Sequence, residues 1–280
     1  VLFRSKAPHC PKKNETVIGE SFGMAGGGKG SNQALAVARL NAKSYMIGCV
    51  GNDDFGRKLK SVLIENNVDC SHLQTLKEAA TGVAVITVTD EGENSIVITQ
   101  GANSLLDEQA ILNAKNVFTS SDSALFQMES PPETVIAGLK LARQTGCRTF
   151  LSAEPPFSLP DEAWKNIDYF ILNEKALNFY AGKKNHKQSI EDMSEEILSK
   201  GVKNLVITQS SKGGMIFMND GENFSFDAFN IRSVDSTGAR DAFCAGSCVG
   251  LGEGMPIERA ARFGSACGAL SCTKIGAHPS

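Results

Sequence analysis

The chain has 280 residues, a formal net charge of −3 and 41% hydrophobic residues, so it can bury the core of one large α/β domain. It has no Lys/Arg-rich run and no apolar stretch near the roughly 18 residues that span a membrane, so neither nucleic acid nor a membrane is an expected partner. Residues 1–5 are too short for a signal peptide, and Lys6 follows them at once.

The eight cysteines indicate buried thiols rather than a metal or redox framework. None forms a CxxC pair, and Cys244 and Cys248, which could share a helix face, have no nearby His to complete a zinc site. Free cysteines are typical of reducing compartments, so we expect a cytoplasmic protein.

The first half of the chain predicts a small β unit beside helices. Residues 45–50 form a short apolar run typical of a buried strand, and residues 54–67 carry apolar side chains at helical spacing. Residues 82–89 and 95–100 are rich in Val, Ile and Thr. They flank the turn residues 90–94, so they predict a β-hairpin.

From residue 124 onward, strands alternate with helices, which predicts a parallel sheet covered on both faces. The early hairpin does not fit inside such a sheet and is expected to form a small lobe or lid beside it. The predicted strands are 124–128, 148–153, 169–172, 204–208 and 214–218. The predicted helices are 132–145, one that begins at Glu174, 190–200, 238–250 and 257–272.

A glycine-rich run, GGGKGSNQA at 26–34, leads into the helical pattern 35–40. Glycines let a backbone approach a ligand closely, and the helix start offers free N–H groups. The polar side chains of Lys29 and Asn32 could contact the same ligand. The spacing is not that of a Walker A loop. Taken alone, the run could equally be a flexible turn before a helix.

A second candidate segment, DSTGARDAF at 235–243, also opens a helix. The backbone N–H groups of residues 238–241 could form an anion pocket, and the helix dipole would strengthen it for a phosphoryl group. Asp241 would lie beside that pocket, where a general base for an incoming hydroxyl is needed. The alternative is a simple N-cap Asp.

Polar residues also follow several predicted strands. The loop TQSSKGG at 208–214 suits nucleotide phosphates, although it equally suits an ordinary hairpin. Asn173 and Glu174 follow one strand, and Glu129 follows another. Ligands of open α/β sheets bind at the carboxyl ends of the strands, so these clusters together indicate one site.

The ordered motifs resemble the ribokinase branch of the phosphofructokinase-B type carbohydrate kinases over about residues 14–280. They read GGKGSNQA, GNDDFG, TGVAVITV, GEN, GAN, FQMESP, ILNE, VITQSSKGG, DSTGARDAF and TKIGAHPS. The resemblance implies a single ribokinase-like α/β domain with a doubly wound, mostly parallel sheet flanked by helices. It also implies a small β-sheet lid, at about residues 14–24 and 82–100, through which a homodimer forms.

The resemblance further implies the roles of site residues. Asp241 would be the catalytic base, and the backbone of Gly238, Ala239, Arg240 and Asp241 would form the anion hole. Sugar hydroxyls would meet Gly28, Lys29, Asn32 and Glu129. ATP would meet Asn173, Thr208, Ser210, Ser211 and Gly213. A potassium ion would bind at Asp235, Thr237, Ser271, Lys274, Gly276 and Ser280, while Mg²⁺ would accompany the nucleotide phosphates.

The sequence departs from the family pattern at four places. Arg240 stands where the anion-hole motif usually has Gly, and Ala176 stands where the Asn-Glu-x-Glu motif ends in Glu. The Asn-Pro-Ala-Pro strand end reads SAEPP at 152–156, and Ser210 replaces a Gly of the nucleotide loop. We expect Arg240 to crowd the γ-phosphate or to pair with Asp241, rather than to act as an arginine finger.

Together these features predict an ATP-dependent sugar kinase, and GGKGSNQA and FQMES favour the conversion of D-ribose to D-ribose 5-phosphate. Two alternatives stay open: a kinase of the same family for another sugar or a nucleoside, and an impaired homologue that binds ligand without efficient transfer. The family's initial Asn-x-Asp strand is not found before Asn14 and the chain stops at Ser280, so truncation at both ends is expected.

Overall fold

The strands and helices alternate along the chain much as the apolar patterns predict. The computed structural model describes residues 1–91, 93–182 and 188–280. The strands are β1 Leu2–Lys6, β2 Ser21–Ala25, β3 Ser44–Tyr45, β4 Gly48–Gly51, β5 Val68–Asp69, β6 Leu73–Leu76, β7 Val83–Val88, β8 Asn94–Thr99, β9 Ser123–Gln127, β10 Arg148–Ser152, β11 Tyr169–Asn173, β12 Asn204–Thr208, β13 Gly214–Met218 and β14 Asn223–Phe226. The α-helices are α1 Lys29–Arg39, α2 Asp54–Glu65, α3 Glu108–Asn113, α4 Lys115–Ser120, α5 Pro132–Gln144, α6 Asp161–Trp164, α7 Glu174–Tyr180, α8 Ile190–Leu198, α9 Ala239–Gly252 and α10 Ile257–Ser271.

A six-stranded sheet in the order β14-β13-β12-β11-β10-β9 carries the main core. Strands β9 to β12 run parallel, and β13 and β14 continue the sheet antiparallel. Both faces are buried, so successive residues of one strand join different cores. Phe170 and Leu172 pack on one face, whereas Ile171 packs on the other with Phe243 of α9. The predicted α/β architecture is confirmed.

The lid is a separate four-stranded sheet in the order β2-β1-β7-β8. The predicted hairpin is confirmed, since β7 and β8 pair antiparallel with Val85 opposite Val97. Gly92, within its turn, lies outside the described residues. The predicted strand 14–24 is wrong in extent: only Ser21–Ala25 is a strand, and Asn14 has a left-handed φ of 66°.

Sequence reasoning did not find β1, one of the two inner strands of the lid, which pairs with both β2 and β7. Its sequence, LFRSK, is short and places charged residues at two of five positions, so its pattern is weak. Neighbouring strands supply the hydrogen bonds that hold it extended.

The predicted strand 45–50 is two strands in the structure. Ser44–Tyr45 pairs parallel with β5, and Gly48–Gly51 pairs parallel with β6. The chain changes partner between them, where the Met46 N–H donates to the carbonyl of Asp69 at 2.8 Å. An apolar run shows burial but not a change of partner, so the sequence could not reveal this break.

The described part of the chain contains no helix both long and apolar enough to cross a lipid bilayer.

Candidate active site

Asp241 lies in the first turn of α9, where it is buried, with 7% of its surface exposed. Its carboxylate accepts hydrogen bonds from the Asn32 side-chain amide at 2.8 Å and from the Gln33 side-chain amide at 3.1 Å. Burial raises the pKa of Asp241, and the two amides partly oppose that rise. A buried carboxylate with a raised pKa is a stronger base than a solvated one, which suits proton abstraction from a hydroxyl.

The turn before α9 offers backbone donors to an anion. Gly238 caps the helix at a left-handed φ of 82° and provides no side chain to bond the first N–H groups. Ala239 donates its N–H to the carbonyl of Ser236 at 3.2 Å. Among the described residues, the N–H groups of Gly238, Arg240 and Asp241 have no hydrogen-bond partner. Three of the four predicted anion-hole donors are thus available at a helix N-terminus.

The predicted sugar-binding residues meet beside Asp241 in a cleft of about 660 Å³. Lys29 pairs with Glu129 at 2.7 Å, so the glycine-rich run and the end of β9 form one polar wall. Gly28 has a positive φ of 115° and lines the same wall. The side-chain oxygen of Asn32 is buried without a partner among the described residues, so it can accept a hydrogen bond from a ligand hydroxyl.

Two residues of the candidate site that the sequence analysis did not single out are Gln33 and Gln127. Gln127 at the end of β9 donates to the Gln33 side chain at 2.6 Å, and Gln33 in turn donates to Asp241. This chain fixes the orientation of the carboxylate. Gln33 lies in the motif GGKGSNQA and Gln127 in FQMESP, so their place in these motifs could have identified them from the sequence.

The lid closes the cleft from the opposite side. The inner face of its sheet places Arg4, Ile86, Ile96 and Ile98 along the cleft. Arg4 donates across the cleft to the carboxylate of Asp235 at 3.0 Å. The lid therefore supplies an apolar roof with one cation that reaches the body.

The predicted nucleotide residues lie together at the carboxyl ends of β11 and β12. Asn173 and Thr208 are paired neighbours across these strands. The Asn173 side-chain oxygen also caps α7, since it accepts from the Ala176 N–H at 2.7 Å. Ser210 and Ser211 then form a tight 3-10 turn that Gly213 ends.

The conformation of this turn explains which residues it favours. Gly213 has a φ of 86°, and a Cβ there would collide with the backbone of Phe226 and come within 2.8 Å of Ala228 N. Ser210 has a φ of 52°, in the left-handed region that favours glycine. A glycine is therefore the usual residue at this position for a physical reason.

Asp235 anchors the segment before α9 to the C-terminal loop. One of its carboxylate oxygens accepts from the Thr237 N–H and hydroxyl, and the other accepts from the Gly276 N–H at 3.0 Å and from Arg4. Burial disfavours the ionised form, but these bonds outweigh it and hold the pKa of Asp235 below its usual value. Asp235, Thr237 and Gly276 are thus in contact.

The remaining predicted cation ligands are spread along the C-terminal loop. Ser271 ends α10, and the Lys274 N–H donates to its carbonyl at 3.5 Å. Ser280 bonds elsewhere: its carbonyl accepts from Arg39 and its hydroxyl donates to Ala277. Within the described residues, no group of three or more His, Cys, Asp or Glu side chains is arranged to hold a metal ion.

The family comparison covers almost the whole chain, since the pfkB family carbohydrate kinase model matches residues 3–280. The chain belongs to the pfkB family of carbohydrate kinases.

Individual relatives of this pfkB-family kinase are sugar kinases. It is 34% identical over 274 residues to a ribokinase of Haemophilus influenzae, which covers 98% of this chain and 89% of that one. It is 30% identical over 235 residues to a deoxyribokinase of Salmonella typhimurium, covering 83% and 76%. The structure of Arabidopsis thaliana ribokinase complexed with ribose and ATP superposes with a TM-score of 0.88 at 26% identity, covering 99% and 91%.

Arg240 is the most marked departure of this pfkB kinase from its family pattern. Of the two effects expected of it, the pairing with Asp241 is wrong, and crowding of the γ-phosphate stays a prediction. Its guanidinium forms an ion pair with Glu154, which follows β10. The Asp241 carboxylate points the other way, toward the amides on α1. The sequence could not show this partner, because Glu154 lies 86 residues earlier in the chain.

Proposed function

We propose that this pfkB kinase transfers the γ-phosphoryl group of ATP to a hydroxyl of D-ribose, giving D-ribose 5-phosphate. The observation that carries the proposal is the buried Asp241 carboxylate, which lies between a polar cleft and the backbone donors at the start of α9. The similarity to ribokinases over almost the whole chain supports ribose as the acceptor.

In the proposed reaction each part of the site has one task. Lys29, Asn32 and Glu129 orient the sugar hydroxyls, and Asp241 accepts the proton of the attacking hydroxyl. The N–H groups of Gly238, Arg240 and Asp241 hold the charge that develops on the migrating phosphoryl group. The lid excludes water from the cleft, which strengthens these interactions.

ATP is proposed to bind along the ends of β11 and β12. Asn173 and Thr208 lie at the strand ends, and the turn of Ser210, Ser211 and Gly213 would approach the phosphates. Mg²⁺ is proposed to enter with the nucleotide, bound mainly by phosphate oxygens and water. Ala176, which stands in place of the usual carboxylate, is buried in the main core and offers no ligand.

The decisive experiment measures ADP release from ATP and Mg²⁺ with ribose, 2-deoxyribose, fructose or adenosine as acceptor. We expect the highest kcat/KM with ribose. A preference for 2-deoxyribose would favour the second candidate, a deoxyribokinase, to which the Salmonella relative points. Preference for fructose or adenosine, or nucleotide binding without turnover, would contradict the proposal and support another family activity or an impaired homologue.

We also propose that a potassium ion binds beside Asp235. The carboxylate is a hard oxygen ligand, and the nearby Cys272 carbonyl already faces this segment, accepting from the N–H of Val234. The carboxylate oxygens are fully used by Thr237, Gly276 and Arg4, so potassium must take the place of Arg4. Arg4 and the ion therefore compete for one anion.

This competition predicts a cation effect on stability. KCl should raise the melting temperature more than choline chloride of equal ionic strength, and Arg4→Gln should show the effect at lower KCl. Lys6→Gln on the same strand is the control, because Lys6 pairs with exposed Glu20 and Asp90. Identical melting curves in K⁺, Na⁺ and choline for all three proteins would refute the proposed potassium site.

A homodimer through the outer face of the lid is proposed as well. Four apolar side chains project from that face: Phe22, Met24, Val85 and Val97. Phe22 is 68% exposed and Val97 65%, and the register places them on one side of the sheet. A contiguous apolar sheet face of this kind is typical of an interaction surface.

We expect the Phe22→Lys, Val97→Lys double variant to shift the protein from dimer to monomer, measured by sedimentation equilibrium. The control is Leu112→Lys, which is 54% exposed and lies on α3, a helix that packs against α5 and is not part of the lid sheet. A wild-type protein that is monomeric at high concentration, or a double variant that stays dimeric, would refute this interface.

A reducing, cytoplasmic location completes the proposal. All eight cysteines are free. Burial raises the pKa of Cys147 to about 11 and of Cys244 and Cys248 to about 12, so these thiols are unreactive at neutral pH.

A further inference from the structure

Glu154 lies between the two halves of the proposed site. One of its carboxylate oxygens pairs with Arg240 in the first turn of α9. The other accepts a hydrogen bond from the Asn173 side-chain amide at 3.2 Å. Asn173 ends β11 beside Thr208, on the proposed nucleotide side. One carboxylate therefore connects the phosphoryl-transfer end of the site with the nucleotide end.

Arg240 keeps donor capacity beyond its bond to Glu154. Its Nε is buried and has no hydrogen-bond partner among the described residues. A guanidinium has five N–H donors in a fixed fork, which matches a phosphate as well as a carboxylate. Its own backbone N–H and that of Asp241 belong to the same turn, so a phosphate held there would lie beside this side chain.

We infer that the Glu154 carboxylate pairs with Arg240 where a phosphate group would otherwise bind. When a nucleotide binds, its phosphates replace Glu154 as the ion-pair partner of Arg240. Arg240 is then a phosphate-binding residue and Glu154 a positioning residue that holds the guanidinium in the absence of nucleotide. The inference rests on the proposed use of ATP. Arg240 and Glu154 side chains are 28% and 38% exposed, so their ion pair is weak enough to exchange.

The test measures binding of adenosine, ADP and ATP without sugar, by titration calorimetry, to wild type, Glu154→Gln, Arg240→Gln and the double variant. Glu154→Gln removes the competing anion, so ADP and ATP should bind about three- to fivefold more tightly, while adenosine is unchanged. In the Glu154→Gln background, Arg240→Gln should then weaken ATP binding by about tenfold or more.

The comparison of Glu154→Gln with the double variant is decisive, because neither protein contains an unpaired Glu154. A purely structural ion pair predicts equal ATP affinity for these two proteins, and that result would overturn the inference. Asp54→Asn is the matched control for charge, since Asp54 is an exposed carboxylate paired with Arg57 at 2.6 Å. It should leave all three affinities unchanged.

The outcome also separates this inference from the proposed function. If the wild type binds ATP, and Glu154→Gln and the double variant bind it with equal affinity, only the exchange of Arg240 is refuted. Wild-type protein that does not bind ATP refutes the proposed kinase and the inference with it. Selective effects on ADP and ATP support the exchange whichever sugar the kinase accepts.

Discussion

Asp241→Asn is expected to lower kcat by about two to four orders of magnitude, because an amide cannot accept the proton of the sugar hydroxyl. ATP affinity should change little, since the side chain faces Asn32 and Gln33 rather than the nucleotide side. Steady-state ADP release and ATP titration calorimetry measure the two quantities. Retention of more than about a tenth of the wild-type turnover would show that Asp241 is not the base.

The raised pKa of Asp241 gives the same variant a distinctive pH and stability signature. The folded carboxyl has a pKa above its unfolded value, so stability falls as the pH rises from the unfolded pKa through the folded pKa, and the full cost is present above the folded pKa. Asp241→Asn should therefore melt at the same temperature as wild type or higher at neutral pH. In the wild type, kcat should fall as the pH drops through the folded pKa, because the protonated acid cannot act as a base.

Removing the Gln33 donor should shift the low-pH fall of kcat to higher pH. The amide stabilises the ionised carboxylate, so Gln33→Leu raises the pKa of Asp241 further and activity is lost at a higher pH. If kcat of Gln33→Leu fell over the same low-pH range as in the wild type, the fall would be due to a titrating group other than Asp241.

Gly238→Ala is expected to lower kcat by about a hundredfold and to lower the melting temperature. Gly238 has a φ of 82°, which alanine adopts only at a cost of about 1–2 kcal/mol. The new Cβ would also lie 2.6 Å from the Cβ of Ala277, so the turn that presents the N–H donors must shift. A displacement of about 1 Å in a catalytic group is enough for such a loss.

Gly252→Ala at the other end of α9 is the matched control. A Cβ there meets nothing within 4 Å, and the backbone is helical. Alanine should therefore keep full activity and raise stability by about 0.5–1 kcal/mol. If Gly238→Ala and Gly252→Ala were equally active, the geometry of the Gly238 turn would not matter for transfer.

The amino-acid sequence alone determined the elements with strong periodicity and the polar clusters at their ends. The alternation after residue 124 predicted the parallel strands and their helices, because burial on both faces imposes continuous apolar strands. Asp241 and Lys29 were found because both stand in short motifs at helix starts, where free backbone N–H groups are available to a ligand.

Only the tertiary structure decided which distant residues meet. Strand β1 depends on partners from β2 and β7, and the break between β3 and β4 depends on a change of partner strand. The partner of Arg240 was decided in the same way. Glu154 and Arg240 are brought together by the packing of α9 across the sheet, and no local pattern carries information about a contact over 86 residues. Local spacing determines helices, strands and turns, whereas ion pairs and weakly patterned strands such as β1 depend on the three-dimensional arrangement of the elements.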